Sequence, residues 1–375
     1  MSHTQLRCIE CGAPHQADVH TLFCRQCGSP LAVEYLGVNL LPRVGLGGLW
    51  GLGAPSPVHH PNSVVSLGEG ATPVAPLATL GKRLGLDALF GKLEYQSPTG
   101  SFKDRGSTVL MSVLREMGVA EIAEDSSGNA GASIAAYATR AGIPAHVFAP
   151  ASAPLAKLQQ IHLYGAHVHL IEGPREVATQ AAVDYVAQRG LVYASHNLSP
   201  YFLEGTKTFA YEVAGQCRPL PQHIVIPVGN GSLLIGVWRG FLELRAQGRI
   251  GEVPRLHAIQ AEAVRPIASA YEGKAWRPQP GARTVAGGIS VAQPPRLRQA
   301  LHAIRETGGT SVAVPDEAIV RWQMALAREE GIYAEPTSAA AFAGVEMLVQ
   351  QGVIAVDEPV LAPITGMGLK DSPPP

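Results

Sequence analysis

From residue 66 onward, short apolar runs alternate with longer stretches of helical periodicity. Residues 89–95, 122–125, 145–149, 167–171, 191–194, 223–228, 256–261 and 359–364 have the length and composition of strands. Helical segments such as 107–118, 132–141 and 157–163 lie between them. Strands separated by helices are the signature of α/β construction, which is the fold class expected here. Three of the strands run into loops rich in Gly, Ser and Asn, and ligands in open α/β sheets collect at such carboxyl ends. Residues 37–61, rich in Gly, Pro and Leu, resist regular structure and read as an arm or linker.

At 375 residues the chain has room for two packed domains and a small appendage. Hydrophobic residues make up 46% and charged ones 16%, which suits a large buried sheet. A formal net charge of -1 argues against a nucleic-acid or membrane-surface partner held by bulk electrostatics. No stretch has the unbroken apolar length of a transmembrane helix. Residues 1–7 lack the apolar core of a signal peptide, so a cytoplasmic location is expected.

Four of the 5 cysteines crowd the N-terminus as Cys8-x-x-Cys11 and Cys24-x-x-Cys27. Gly12 and Gly28 follow the pairs and permit the tight turns that aim two thiolates at one ion. This spacing predicts a structural zinc knuckle over 1–33, since disulfides are disfavoured in a reducing compartment. A segment this short has almost no core, so metal binding would supply its folding energy. With four protein ligands, the ion would have no open position for chemistry. Cys217 stands alone and reads as inert.

The most informative stretch is Ser97-Pro98-Thr99-Gly100-Ser101-Phe102-Lys103-Asp104-Arg105-Gly106. Ser101 is a good N-cap type, which places Lys103 in the first turn of the following helix. The positive end of the helix dipole disfavours an ammonium there and favours the free amine that a Schiff base requires. A second loop, Gly229-Asn230-Gly231-Ser232, opens another helix and offers clustered backbone N–H groups to a phosphate. Neither glycine loop reads G-x-G-x-x-G, which sets aside a dinucleotide fold.

The 97–106 stretch resembles the cofactor-lysine signature of threonine synthases and their relatives, enzymes that use pyridoxal 5′-phosphate (PLP). Further similar segments follow in order: 69–73, the Ser-Gly-Asn loop at 127–129, 203–208, 227–230, 335–340 and 365–371. The resemblance implies the tryptophan synthase β-type fold, with two open twisted α/β domains and PLP in the cleft. It implies a larger phosphate-binding domain (62–96 and 208–371), a smaller mobile domain (97–207), the knuckle (1–33), an arm (34–61) and a tail (372–375). Lys103 is then the catalytic residue that carries the cofactor. Asn129 meets its ring oxygen; Gly229, Asn230, Gly231, Ser232 and Leu233 cradle its phosphate; Thr365 faces its pyridine nitrogen. Ser126, Ser127, Gly128, Asn129, Ala130 and Phe202 surround an amino-acid substrate. A homodimer is also implied. A hydroxyl at the pyridine nitrogen offers a neutral hydrogen bond, which suits elimination or replacement at Cβ or Cγ better than transamination.

Three positions depart from the threonine synthase pattern: Phe202 replaces an arginine, Ala130 a threonine and Met367 a histidine. All three remove hydrogen-bonding groups, and a buried phosphate without cationic partners is costly. His196 or Arg105 could supply a replacement cation. The resemblance as a whole still implies conversion of O-phosphohomoserine and water to threonine and phosphate. The alternative is a dehydratase, ammonia-lyase or β-replacement reaction on an unphosphorylated amino acid.

Overall fold

The computed structural model describes residues 4–37, 47–153, 155–279 and 281–371. Parts of the arm (38–46) and the tail (372–375) lie outside the described residues. The chain divides into two compact units, Met1–Ala71 with Ser97–Thr208, and Thr72–Gln96 with Phe209–Pro375. Among the described residues, no helix is long and apolar enough to cross a membrane.

The first unit opens with an antiparallel sheet in the order Pro14–Gln16, Thr4–Cys8, Leu31–Tyr35. Leu6, Cys8, Leu31 and Val33 turn inward, the period of two that a half-buried sheet demands. The body of the unit is a parallel sheet in the order His167–Ile171, Ala145–Pro150, Ile122–Glu124, Val192–Tyr193. The helix Lys103–Glu116 is buried from Asp104 through Leu114. The helix Asn129–Ala141 is buried over residues 130–138, where alanines allow close approach.

Residues 62–71, expected with the larger domain, group with the first unit. Their polar groups explain this. Val65 N–H donates to Ser112 Oγ at 2.8 Å, and the Glu69 carboxylate accepts from Trp50 Nε1 at 2.9 Å and from the Tyr137 hydroxyl at 2.7 Å. A buried carboxylate must be satisfied where its donors are, and these donors belong to the first unit.

The second unit is a six-stranded sheet in the order Ser311–Val314, Arg255–Ala261, His223–Pro227, Val360–Pro363, Leu89–Lys92, Val74–Pro76. All neighbours are parallel except the last pair. Central strands buried on both faces read as continuous apolar runs, which is why 223–228 and 359–364 are legible as strands. The run expected to be one strand over 89–95 ends at Lys92 and closes in a tight turn, Glu94–Gln96.

Two histidines are buried inside this sheet. His223 Nδ1 lies 2.8 Å from His257 Nε2, His257 Nδ1 lies 2.8 Å from Thr310 Oγ1, and His223 Nε2 lies 3.0 Å from Glu358. Burial pushes His257 from 6.5 down to about 3 and lowers His223 as well. The unfolded chain therefore binds more protons than the folded one once pH falls below 6.5. Stability is full above that value and is lost as pH falls toward about 3. For His257 alone the loss is about 1.4 kcal/mol per pH unit. Urea unfolding at pH 7 and pH 5 should show this drop, and His257→Gln should flatten it. An unchanged urea midpoint between the two pH values would refute the burial argument.

Candidate active site

Lys103 is the first residue of the helix Lys103–Glu116, in the first turn as expected. Ser101 is not its cap: Phe102, in right-handed helical conformation, precedes the helix, and no side chain caps it. The turn is fastened instead by Asp104, a buried carboxylate that sequence reasoning missed. It accepts the Thr99 N–H at 2.7 Å and the Thr99 hydroxyl at 2.5 Å, and Ser133 Oγ lies 2.6 Å from it. These bonds fix residues 97–101 against the start of the helix that bears Lys103. The Lys103 Nζ lies 4.5 Å from the Phe102 ring centroid and 6.0 Å from that of Phe202.

Phe202 is fully buried on the short helix Pro200–Thr206. A Cβ on Gly106 would stand 2.4 Å from its ring, and one on Gly205 would stand 1.7 Å from the Arg105 carbonyl oxygen. The two helices therefore cross at bare backbone, and any larger residue at either position would push Phe202 away from Lys103. His196 meets Phe202 edge-on at 6.1 Å and holds Glu124 through Nδ1 at 2.5 Å. Burial, reinforced by the Asp125 carboxylate, raises Glu124 well above the usual carboxylate range. Burial, then the Lys103 and Arg175 charges, lowers His196 well below its ordinary value. Both directions disfavour charge on this buried pair, which argues against His196 as the replacement cation. Arg105 is also buried and donates to Thr208 Oγ1 at 3.2 Å.

The 126–130 loop begins the helix Asn129–Ala141, whose cap residue Gly128 provides no side-chain bond. Gly128 N–H donates to Ser126 Oγ at 3.3 Å. A Cβ on Gly131 would stand 1.8 Å from the Ser126 carbonyl oxygen, so the loop lies flat on its own helix. Ser127, Gly128 and Asn129 are half-buried, while Ala130 is buried. A helix start without a side-chain cap presents N–H donors of the kind a carboxylate takes.

In the second unit the strand His223–Pro227 leads through Gly229 and Asn230 to Gly231, the left-handed cap (φ 89°) of the helix Ser232–Ala246. This helix start also has no side-chain cap. A Cβ on Gly229 would stand 3.0 Å from both the Gly288 carbonyl oxygen and Val291, so the loop is a cradle that side chains would fill. Leu233 is buried in the first turn. The 287–291 segment beside Gly229 was not anticipated; its signal is the Gly287-Gly288 doublet, anchored by a 3.0 Å bond from Gly288 N–H to Thr337 Oγ1. These features fit a phosphate.

Thr365 is buried, 2.9 Å from Ser338 Oγ, and donates its hydroxyl to Glu335 Oε1 at 3.1 Å. Gly366 is required here, because a Cβ would come within 2.5 Å of the Glu335 carboxylate oxygens. Met367 is half-buried and bridges to Ala334.

The four N-terminal cysteines converge, with every sulfur within 4.8 Å of the others and none in a disulfide. Individual separations are 3.4 Å (Cys8 to Cys27), 3.6 Å (Cys11 to Cys24) and 3.5 Å (Cys11 to Cys27). Tetrahedral zinc with Zn–S near 2.3 Å asks for about 3.8 Å between sulfurs, so the donors fit. Gly12 and Gly28 hold positive φ at 71° and 72°. Backbone N–H groups of Glu10 and Gln26 point at the Cys8 and Cys24 sulfurs. Cys217 is half-buried, and burial raises its thiol, consistent with an inert residue.

Residues 65–366 match a family described as pyridoxal-phosphate dependent enzymes. A threonine synthase of Methanocaldococcus jannaschii is 37% identical over 376 residues, covering 97% of this chain and 92% of that protein. A threonine synthase of Methanosarcina acetivorans is 38% identical over 375 residues, covering 98% of this chain and 92% of its own length. Among solved structures, maize serine racemase superposes with a TM-score of 0.69 at 24% identity, over 79% of this chain and 88% of that one. A fungal L-serine ammonia-lyase from Rhizomucor miehei gives 0.69 at 23% identity, over 79% and 93%. At such identities these structures speak for the fold alone.

Proposed function

The chain belongs to the family of pyridoxal-phosphate dependent enzymes, and on that premise we propose that it converts O-phosphohomoserine and water to threonine and phosphate. The observation that carries this reading is its 37% and 38% identity to two threonine synthases over nearly the whole chain. When bound, the cofactor supplies an electron-withdrawing ring that eases departure of the substrate's Cα proton. Lys103 would hold the cofactor through its amine, and as a free amine would remove and return protons at Cα. Backbone N–H groups of 126–128 orient the substrate carboxylate, and the Asn129 amide donates to the cofactor's ring oxygen. Gly229, Asn230, Gly231, Ser232 and Leu233 hold the phosphate. Thr365 would lie at the ring nitrogen, its hydroxyl oriented by Glu335 and Ser338.

The cysteine cluster holds one structural zinc ion. Metal analysis should find one zinc per chain, and Cys8→Ser should reduce it to a small fraction. Full zinc in that variant would remove the site from these ligands. A cytoplasmic homodimer is the setting that the family resemblance implies.

A second reading has one observation in its favour. Phe202, buried against Gly106 near Lys103, stands where the family pattern has arginine, and His196 beside it is neutral. An apolar wall there suits elimination or β-replacement on an unphosphorylated amino acid. Product analysis with O-phosphohomoserine, serine, threonine and O-phosphoserine separates the two. Threonine and phosphate in equal amounts from O-phosphohomoserine are expected. Keto acid and ammonia from serine or threonine, without turnover of O-phosphohomoserine, would overturn the first reading in favour of the second.

A further inference from the structure

We propose that the cysteine knuckle is a brace for the active-site lysine: through Tyr35 and Asp18 it holds the helix Pro200–Thr206, and with it Phe202, against Lys103, so that metal occupancy at the knuckle sets the geometry around that lysine. The functional part of this inference rests on Lys103 being the reactive lysine.

The helix Pro200–Thr206 has only seven residues, too few to be stable by itself, so its position must come from what it touches. Two of its side chains reach the knuckle and the strand Leu31–Tyr35 that leaves it. The Tyr201 hydroxyl donates to the Asp18 carbonyl oxygen at 2.8 Å. Asp18 lies between the two cysteine pairs. Glu204 accepts the Tyr35 hydroxyl at 2.5 Å on Oε2, and Lys207 Nζ lies 2.6 Å from the same oxygen. Lys207 also lies 3.3 Å from the Tyr35 hydroxyl and 4.6 Å from the Tyr35 ring centroid. Glu204 and Lys207 are buried, and the Tyr35 hydroxyl joins this charge pair at its shared oxygen.

The knuckle ties both contacts to the cysteines. Tyr35 ends the strand Leu31–Tyr35, which pairs with Thr4–Cys8 in a register that sets Cys8 opposite Leu31 and Thr4 opposite Tyr35. Displacing Cys8 displaces the whole register and the hydroxyl at its far end. On the other side of the same short helix, Phe202 lies between Tyr201 and Glu204 in sequence and packs on Gly106, three residues beyond Lys103. A cysteine-rich segment with so little core folds only with its metal, so loss of the ion releases Asp18 and Tyr35 together. The reaction makes no use of the knuckle, and a freely appended domain would not set a half-buried tyrosine on a buried glutamate–lysine pair of the helix next to the lysine.

The test uses the full-length holoenzyme and its Tyr35→Phe variant, which deletes one hydroxyl. Zinc content should be unchanged. Amide hydrogen exchange should speed up at least tenfold over residues 200–207 and 103–106 while staying unchanged over 232–246. The absorption band of the bound cofactor should shift. kcat should fall by roughly tenfold to a hundredfold with a smaller change in KM, the size expected when a catalytic group is displaced by a fraction of an ångström to an ångström. Stripping zinc from the wild type with a chelator should reproduce the same local exchange pattern. Unchanged exchange over 200–207 on chelation, or an increase spread evenly over both units, overturns the proposal. That comparison stands even if Tyr35→Phe folds poorly. The exchange measurement needs no reactive lysine: if another lysine carries the cofactor, exchange still responds at 200–207 while the absorption band stays fixed, which refutes the Lys103 reading and leaves the brace.

Discussion

Lys103→Ala is expected to lower kcat by about 10²–10⁴-fold, the span of a lost acid–base catalyst, while the protein keeps its fold. On the proposed reading, removing this side chain takes away both the hold on the cofactor and the amine that moves protons at Cα. Lys103 is half-buried at the start of its helix, so its truncation removes no fully buried side chain. The anchor of the turn is Asp104, which stays bonded to Thr99 and Ser133. Thermal unfolding should therefore move little while turnover collapses. An Asp104→Asn variant should behave in the opposite order, losing stability and turnover together as the 97–101 turn loosens. Wild-type turnover by Lys103→Ala would remove the lysine from the mechanism.

Lys92→Met should destabilise the second unit by about 3–5 kcal/mol, the usual cost of stranding one partner of a buried ion pair. Lys92 is fully buried and donates to Glu212 Oε2 at 2.7 Å, to Gln216 Oε1 at 2.9 Å and to the Thr72 carbonyl oxygen. Glu212 is buried too, so it would lose the cation paired with it at 2.7 Å. For a unit of this size each kcal/mol moves Tm by about 2–4 °C, so a fall of roughly 6–20 °C is expected. Adding Glu212→Leu should recover most of the loss, because an apolar pair of similar volume replaces the charges. A Tm within a degree of wild type in Lys92→Met would contradict the assigned burial of this pair.

Where the chemistry lies in local spacing, the sequence was legible. The cysteine pairs with their glycines, the Gly229–Ser232 loop after an apolar strand and the lysine ahead of a helix could all be read without tertiary contacts. The fastening of those elements could not. Ser101 looked like the cap, yet the turn is held by Asp104, whose partner Ser133 lies 29 residues away. Glu335, Ser338 and Thr365 form one hydrogen-bonded group from two distant segments, and only the glycine at 366 hints at the close approach. Phe202 could be recognised as a departure, but its fit over Gly106 needs the helix crossing. His196 looked available as a cation until burial and its bond to Glu124 made it neutral. The resemblance places residues 62–71 with the larger domain, whereas Glu69 bonds to Trp50 and Tyr137 of the first unit.

The central claim, that Lys103 carries the cofactor, is tested most directly by borohydride reduction of the holoenzyme followed by peptide mapping. The account predicts one pyridoxyl group per chain, on the peptide containing Lys103. Lys92 and Lys207 are each buried within 2.7 Å and 2.6 Å of a carboxylate, which commits their ammonium groups to ion pairs. A pyridoxyl group on either of them, or on any lysine other than Lys103, would contradict the account.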